Sequence, residues 1–565
     1  MKALRRAALA SMVALGCASN GKGKDVVATS AAGLDPAQVV AMYIERSFEE
    51  HPDVARGAGL HDYDGRVEEV SKAAVERRLA RAKVYVETVN AIDPASVEDP
   101  VRLDLELTRL DALQTIFGIE QTEEHRKVLS YAGLFDTSGY LSRDYAPLEV
   151  RVGKLLDHAA AATVRVDDVL AILDPKQPRT HLATAKGMLG GYRSFYEGDV
   201  ATQSKPALDA EPALAKRFAE VVPALLAAVD RLIAWIDAHE AEATDDFALG
   251  EAKFLEMLRV NEDLEITLPE LQRMADANYR ANYDAYVATA KRIDPNKSVQ
   301  EVAAMVAAER LPADQVITTA AQQLDTLREY IEANDIITIG SDERATVKVT
   351  PPFLRFNSAF LDMAGPFEKA KGSFYYISPP DPSWPKATQE AYIPWAGDLL
   401  GTSIHEVYPG HFVHGLQFRR APTKAQKIYG SYAFIEGWAH YTEQMMLDAG
   451  YGDDDPRLRL GQLSNALLRN CRFLAALGLH TQGMTVEAAE TMFQEKCFVD
   501  PGNARQQAFR GTFDPGYLSY TLGKLAILDL REKFFAAKKT KSLRAFHDWL
   551  LSYGGAPVAL IAKRM

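Results

Sequence analysis

The sequence predicts a mainly α-helical protein that carries a small β-sheet. The main observation is the spacing of apolar residues: in 219–241 they recur every three or four positions, on one face of an amphipathic helix. Similar spacing occurs in 36–50, 74–92, 101–117, 148–173, 269–291, 316–333, 457–480 and 520–536. Strand signals are few, and the best are the β-branched and aromatic stretches 346–350 and 373–378. A content of 47% hydrophobic and 25% charged residues is typical of a globular protein.

The N-terminus has the order of an export signal. Three basic residues precede the apolar run 7–15, which is far shorter than the roughly 18 residues that a membrane span needs. Cys17 follows a glycine, and this order resembles a bacterial lipoprotein signal, although Ala14 stands where a large aliphatic residue is usual. We therefore expect that 1–16 are removed, that Cys17 is lipidated and that 17–35 form a flexible tether. The protein would then be exported and lipid-anchored to the bacterial membrane, in the periplasm or at the cell surface; a plain secretory signal is the alternative.

Charge and cysteine usage exclude some classes of function. The formal net charge is −13, and removal of 1–16 with its three positive charges makes it −16. This acidity argues against a nucleic-acid partner, because binding to phosphates requires a basic face. After the first cysteine only Cys471 and Cys497 remain, and a disulfide or two buried thiols are both open.

We predict a helical half at 36–335 and a half with the sheet and the chemistry at 336–565.

The segment 405–411, His-Glu-Val-Tyr-Pro-Gly-His, carries the groups that a catalytic zinc needs. Such a zinc takes about three protein ligands of the histidine or carboxylate type and keeps one position open for water. A glutamate beside the metal removes a proton from that water and later delivers it to the leaving amine. We therefore predict that His405 and His411 bind Zn2+ and that Glu406 is the general base. A histidine-rich helix without a metal is the alternative.

The spacing of the two histidines requires a break in the helix. Six residues at about 100° each would place His405 and His411 roughly 240° apart on an unbroken helix, too far around to bind one ion. Pro409 cannot continue the hydrogen-bond ladder, and Gly410 accepts unusual backbone angles. A break at these two residues would bring His411 back beside His405. His414, three residues farther on, is the rival ligand.

A third ligand is expected from the segment 434–446. Glu436, His440 and Glu443 fall on one face of its predicted helix, among otherwise apolar residues. Buried acids are rare unless they are paired or bound to a metal. Glu436 is the first candidate for the third ligand, and His440 is the alternative. Glu443 is expected to orient a histidine ligand.

Five stretches together resemble a known bacterial family, that of domain of unknown function 885. They are GLHDYDGR, HEVYPGHF, EGWAHYTEQMM, LLRNCRFLAALGLHTQGMT and PGYLSYTLGK, in the family's order. The family is usually grouped with the gluzincin metallopeptidases, which implies a large helical body with a deep cleft and a zinc site of two histidines and one glutamate. The 25-residue gap from His411 to Glu436 is similar to that of thimet-oligopeptidase-like gluzincins and favours Glu436 over His440.

The chain departs from the pattern of this family at three places. Phe412 stands where a second histidine is common, and Ala475 or Ala476 stands where an aspartate is usual. An acidic residue often found before the late Pro-Gly is not evident around 505–507. These departures affect the expected substrate contacts more than the expected metal site.

Hydrogen-bond donors to the oxyanion of peptide hydrolysis are expected late in the chain. Similar enzymes use tyrosines of a late glycine-rich loop, so Tyr520 is the first candidate and Tyr517 the second, with simple packing as the alternative. His480 is a further candidate donor, and a core histidine is its alternative. Arg469 and Arg472 could hold a peptide carboxylate, although solvated helix arginines are the simpler interpretation.

The sequence therefore predicts zinc-dependent hydrolysis of peptide bonds, with short peptides as substrates. The aromatic run 374–377 is interpreted either as an edge strand that pairs with substrate backbone or as a buried strand. Two other functions stay open: a zinc amidase that acts on cell-wall peptides, and a non-catalytic surface lipoprotein with a relic metal site.

Overall fold

Helices dominate the fold, as the apolar spacing predicts. The structure, a computed structural model, describes residues 35–351, 355, 358–369 and 372–565. The predicted signal segment 1–16, Cys17 and the tether up to residue 34 lie outside these residues. Of the helices in the described ranges, none combines the length and the apolar character that crossing a membrane requires.

Thirteen α-helices precede the sheet in the described part of the chain. They are α1 (Pro36–Glu50), α2 (Pro52–Gly57), α3 (Lys72–Asn90), α4 (Asp99–Glu120), α5 (Ser138–Ser142), α6 (Leu148–Ile172), α7 (Arg179–Phe195), α8 (Ala201–Ala210), α9 (Pro212–His239), α10 (Gly250–Glu262), α11 (Leu268–Ile293), α12 (Val299–Ala307) and α13 (Val316–Ala333). The predicted apolar face of 219–241 is confirmed in α9, where Leu225, Val229, Leu232 and Ile236 are buried.

The sheet has three short strands in the described residues, β1 (Ala345–Val349), β2 (Ala359–Asp362) and β3 (Ser373–Ile377). β3 is central: it runs parallel to β1 and antiparallel to β2. The two strands that the sequence predicts are present as β1 and β3. The four-residue β2 carries too little alternation to be found from the sequence, yet it forms an edge of the sheet.

The second set of helices carries the candidate chemistry. They are α14 (Lys386–Tyr392), α15 (Ala396–Glu406), α16 (His411–Arg420), α17 (Tyr432–Asp448), α18 (Pro456–Thr481), α19 (Val486–Cys497), α20 (Pro501–Phe513), α21 (Ser519–Lys538), α22 (Leu543–Leu551) and α23 (Val558–Ala562). Cys471 of α18 and Cys497 of α19 form a disulfide, one of the two alternatives that the sequence left open.

One of the hydrophobic cores joins helices from distant parts of the described chain. It contains Leu103 of α4, Trp438 of α17 and Ile561 of α23. Residues Pro36–Met565 form one compact unit. The division near residue 335 stays a prediction about where the chemistry lies along the chain.

Buried histidines make the stability of the fold sensitive to acid. His158, His480 and His547 each hydrogen-bond a backbone carbonyl, of Leu134, Gly511 and Ile336 respectively. Burial lowers the pKa of each of the three rings to about 4. The pKa of an unfolded histidine is about 6.5, so below that pH the unfolded state binds more protons than the folded state.

The free energy of unfolding should therefore fall as the pH drops from 6.5 towards 4. The contribution of the neutral rings is fully present above pH 6.5, and each ring accounts for a loss of about 3 kcal/mol by pH 4. Denaturant titrations at several pH values measure this slope. A free energy of unfolding that stays constant across the interval would contradict it.

Candidate metal centre

The predicted break between the two histidines is confirmed. Helix α15 ends at Glu406, and α16 begins at His411. The backbone closes tightly between them, because an added Cβ at Gly410 would lie 1.8 Å from the carbonyl oxygen of His405. The indole nitrogen of Trp438 donates to the carbonyl of Pro409 over 2.9 Å and so ties the break to α17.

The break brings His405 and His411 together with Glu436. Oε2 of Glu436 lies 3.5 Å from Nε2 of His405 and 3.5 Å from Nε2 of His411. The two imidazole rings have their centroids 4.7 Å apart and are nearly perpendicular, at 85°. One ligand atom from each of the three residues lies within 4.8 Å of the other two. We call these residues the donor trio.

The donor trio fits zinc in donor type and in the spacing of Glu436 from each histidine. Tetrahedral zinc with bonds of about 2.0–2.1 Å keeps its ligand atoms about 3.3 Å apart, close to the distances from Glu436 to the two histidines. Oε2 of Glu436 is buried and has no hydrogen-bond partner among the described residues. A buried carboxylate oxygen without a partner is costly, and a cation between the imidazoles would compensate it.

Glu443 and Arg469 fix the orientation of His405. Nδ1 of His405 lies 2.7 Å from Oε1 of Glu443, which leaves Nε2 directed at the donor trio. Arg469 of α18 holds the same Glu443 oxygen with an N–O distance of 3.0 Å. Histidine ligands of metals commonly use their second nitrogen in this way. The sequence predicted this orienting role for Glu443, whereas the contribution of Arg469 was missed.

The electrostatics of the trio favour a positive charge at its centre. Burial would raise the pKa of Glu436, but the neighbouring imidazoles of His411 and His405 outweigh burial and hold it well below its ordinary value. Burial would lower the pKa of His405, but Glu436 and Glu443 on its two sides raise it to about 9. The carboxylates therefore stabilise a cation here, which can be a proton or a metal ion.

Glu406 is oriented by the sheet. Its Oε2 accepts a hydrogen bond of 3.1 Å from the backbone N–H of Leu361 in β2. β2 is an edge strand, and this hydrogen bond connects it to the end of α15. The aromatic run 374–377 lies in the central strand β3 with Tyr375 buried, so the buried-strand alternative is correct. The edge strand near the candidate base is β2.

The rival ligands point elsewhere. His414 is buried, and its Nε2 lies 2.9 Å from the carbonyl oxygen of Gly554, away from the donor trio. Nδ1 of His440 lies 3.4 Å from Oε2 of Glu443, and its Nε2 is buried without a hydrogen-bond partner in the described residues. His440 thus contacts the same carboxylate as His405, that of Glu443, and is not itself part of the donor trio.

Tyr520 lies among three arginines next to the donor trio. Its ring centroid is 5.6 Å from the guanidinium carbon of Arg469, 4.8 Å from that of Arg472 and 5.9 Å from that of Arg510. Arg469 and Arg472 are largely buried, so the interpretation of both as solvated helix arginines is wrong. The ring of Tyr432, one turn before Glu436 on α17, lies 5.9 Å from that of Tyr520.

The comparison with known proteins agrees with the resemblance in the sequence. The family model described as bacterial protein of unknown function (DUF885) matches residues 52–565. The chain belongs to this family. No curated protein matches the chain.

Two solved structures show that the DUF885 chain shares its fold with other bacterial proteins. A predicted lipoprotein of unknown function from Shewanella oneidensis is 22% identical with a TM-score of 0.78, covering 94% of this chain and 100% of that chain. A predicted lipoprotein from Colwellia psychrerythraea is 18% identical with a TM-score of 0.77, covering 94% and 98%. At these identities the likeness extends to the fold alone.

In this DUF885 member His480 lies outside the donor trio. Its Nε2 bonds the carbonyl of Gly511 over 2.7 Å, and its Nδ1 accepts from the backbone of Leu249. Arg469, which contacts Glu443, precedes it by three turns of α18, or about 16 Å along the axis. This environment matches the core-histidine alternative, and Tyr517 is likewise fully buried.

Two features of the site in this DUF885 protein escaped the sequence analysis. The ammonium nitrogen of Lys524 is buried without a hydrogen-bond partner in the described residues, and burial lowers its pKa to about 8 despite the nearby Glu443. A single lysine in an apolar helix segment was its only signal. The close contact of α17 with α21 was also missed: an added Cβ at Gly437 would lie 2.5 Å from the carbonyl carbon of Gly523.

Proposed function

We propose that the chain is a gluzincin-type zinc hydrolase of peptide bonds. The observation that carries this proposal is the donor trio, with Glu406 directly after His405 in the sequence. His405, His411 and Glu436 would hold the ion. When bound there, zinc would act as a Lewis acid and lower the pKa of a water molecule towards 7.

Glu406 supplies the proton transfer in this proposal. It takes the proton of the attacking water and delivers it to the leaving amine. The hydrogen bond from Leu361 holds one of its oxygens at β2, which leaves the other oxygen for this role. Tyr520 donates its O–H to the oxyanion that forms from the peptide carbonyl.

We also propose that the protein acts at a bacterial membrane. The lipoprotein-like start of the sequence supports export and a lipid on Cys17, and the structures from Shewanella oneidensis and Colwellia psychrerythraea are named as predicted lipoproteins. Short peptides present outside the cytoplasm are the proposed substrates. The acidic net charge argues against a nucleic-acid partner, so none is proposed.

A peptide screen tests this function directly. We expect the purified chain with one equivalent of zinc to cleave unstructured peptides, as seen by mass spectrometry of the products. A chelator should abolish cleavage, and added zinc should restore it. Cleavage of cell-wall amides alone would favour the amidase alternative, and zinc binding without any hydrolysis would favour the non-catalytic lipoprotein.

A further inference from the structure

Arg472 is a buried cation whose charge is not balanced by a carboxylate in the described part of the chain. It is 9% exposed. Its Nε donates to Oε1 of the neutral Gln507 over 2.8 Å, and its guanidinium lies over the ring of Tyr520. Removing a guanidinium from water without a counter-charge is costly. An anion bound beside the guanidinium would lower that cost.

The neighbouring arginines differ from Arg472 in this respect. Arg469 is paired with Glu443 at 3.0 Å. Arg510 is paired with Asp514 at 2.8 Å. Each of these two guanidiniums thus has a carboxylate partner, while the third guanidinium beside Tyr520 has none in the described residues. The lack of a carboxylate partner in the described residues makes Arg472 the candidate among the three for an external anion.

This group of arginines lies beside the donor trio. Arg469 contacts both Glu443 and the ring of Tyr520, so it joins the two regions. The hydroxyl of Tyr432 accepts a hydrogen bond of 2.8 Å from Arg510. Tyr432 lies one turn before Glu436 on α17, on the same face of the helix. An extended substrate at the donor trio can therefore place a nearby group at the arginines.

We propose that Arg472, assisted by Arg510, forms a subsite for the C-terminal carboxylate of a peptide. A guanidinium binds a carboxylate through two parallel N–H donors, which makes it the preferred residue for this task. The side chain of Arg510 is 31% exposed and marks the solvent side of the subsite. The inference rests on the proposed peptidase function and narrows it to removal of residues from a free C-terminus.

Matched peptides test the subsite in the zinc-loaded enzyme. One sequence is offered with a free C-terminus, as its C-terminal amide, and as an amide with a glutamate in place of the last residue. We expect kcat/KM for the free acid to exceed that for the plain amide about 10- to 100-fold. Equal rates for acid and amide would overturn the subsite and leave the peptidase function intact. A preference for the glutamate amide over the free acid would overturn the assignment to the C-terminus.

Two substitutions of Arg472 isolate its contribution. The Arg472→Met change should raise KM for the free acid and so reduce the preference for the free acid over the amide, and Arg472→Lys should recover part of that preference. Arg457→Met is the control, because that arginine is on the same helix, is 43% exposed and is paired with Asp455. An unchanged KM in Arg472→Met would contradict the proposal.

A binding experiment keeps the inference testable even if no hydrolysis is found. Calorimetry with N-acetyl-dialanine and its amide, on the Glu406→Gln protein, measures affinity without turnover. We expect the acid to bind about 10- to 100-fold more tightly than the amide, and Arg472→Met to remove that difference. Equal affinities would overturn the subsite. If the wild type cleaves no peptide but the Glu406→Gln protein still binds the acid more tightly than the amide, the peptidase function fails and the subsite stands.

Discussion

A Glu406→Gln variant is expected to bind zinc as the wild type does and to lose peptide hydrolysis by about a thousandfold. The amide keeps the size of the carboxylate and can still accept the hydrogen bond from the N–H of Leu361. It cannot take a proton from water, so the general base is removed while the geometry of the site is kept. None of the donor trio is changed, and zinc content should stay at one per chain.

The control for this variant is Glu390→Gln on α14, an exposed glutamate that lies outside the site. It should keep wild-type kcat/KM and zinc content. Steady-state kinetics on a peptide from the screen, with zinc measured in the same samples, decide the result. A Glu406→Gln protein that hydrolyses peptides at an undiminished rate would rule out the proposed base.

A Gly410→Ala variant is expected to lose both zinc and activity although it changes no ligand. The added Cβ would lie 1.8 Å from the carbonyl oxygen of His405, and the other close atoms also belong to the backbone. Relief of that overlap requires the chain between α15 and α16 to move. His411 follows directly in sequence, so its imidazole would leave its position beside His405.

The matched control is Gly401→Ala, one turn before His405 in α15. Its added Cβ would meet only the side-chain amide of Asn465 at 3.8 Å, an ordinary contact. Because alanine is the better helix former by about 1 kcal/mol, this variant should keep zinc and melt no earlier than the wild type. Full zinc occupancy in Gly410→Ala would show that the tight break is not needed to bring the histidines together.

The helices and the break were accessible from the sequence for a simple physical reason. Apolar spacing depends on local geometry, and the need to bring His405 and His411 to one ion follows from the helical repeat. Pro409 and Gly410 are local signals for the break. The approach of Glu436 was predicted from its place among apolar residues and from the family resemblance, and the structure places it beside both histidines.

Features that depend on packing between distant segments were not accessible. The burial of Arg472 results from its position against Tyr520 of α21 and Gln507 of α20, which its own helix does not encode. For the same reason His480 could not be separated from a catalytic histidine before its contact with Gly511 was known. The edge strand β2 is too short to have a pattern.

The most direct test of the metal centre is the zinc content of the purified chain, measured for wild type, His411→Ala and His414→Ala. The two substituted histidines lie three residues apart on α16, but only His411 faces Glu436, while His414 bonds the carbonyl of Gly554. We expect about one zinc per chain in wild type and in His414→Ala, and none in His411→Ala. A wild type that takes up no zinc on reconstitution, or loss of zinc with His414 alone, would contradict it.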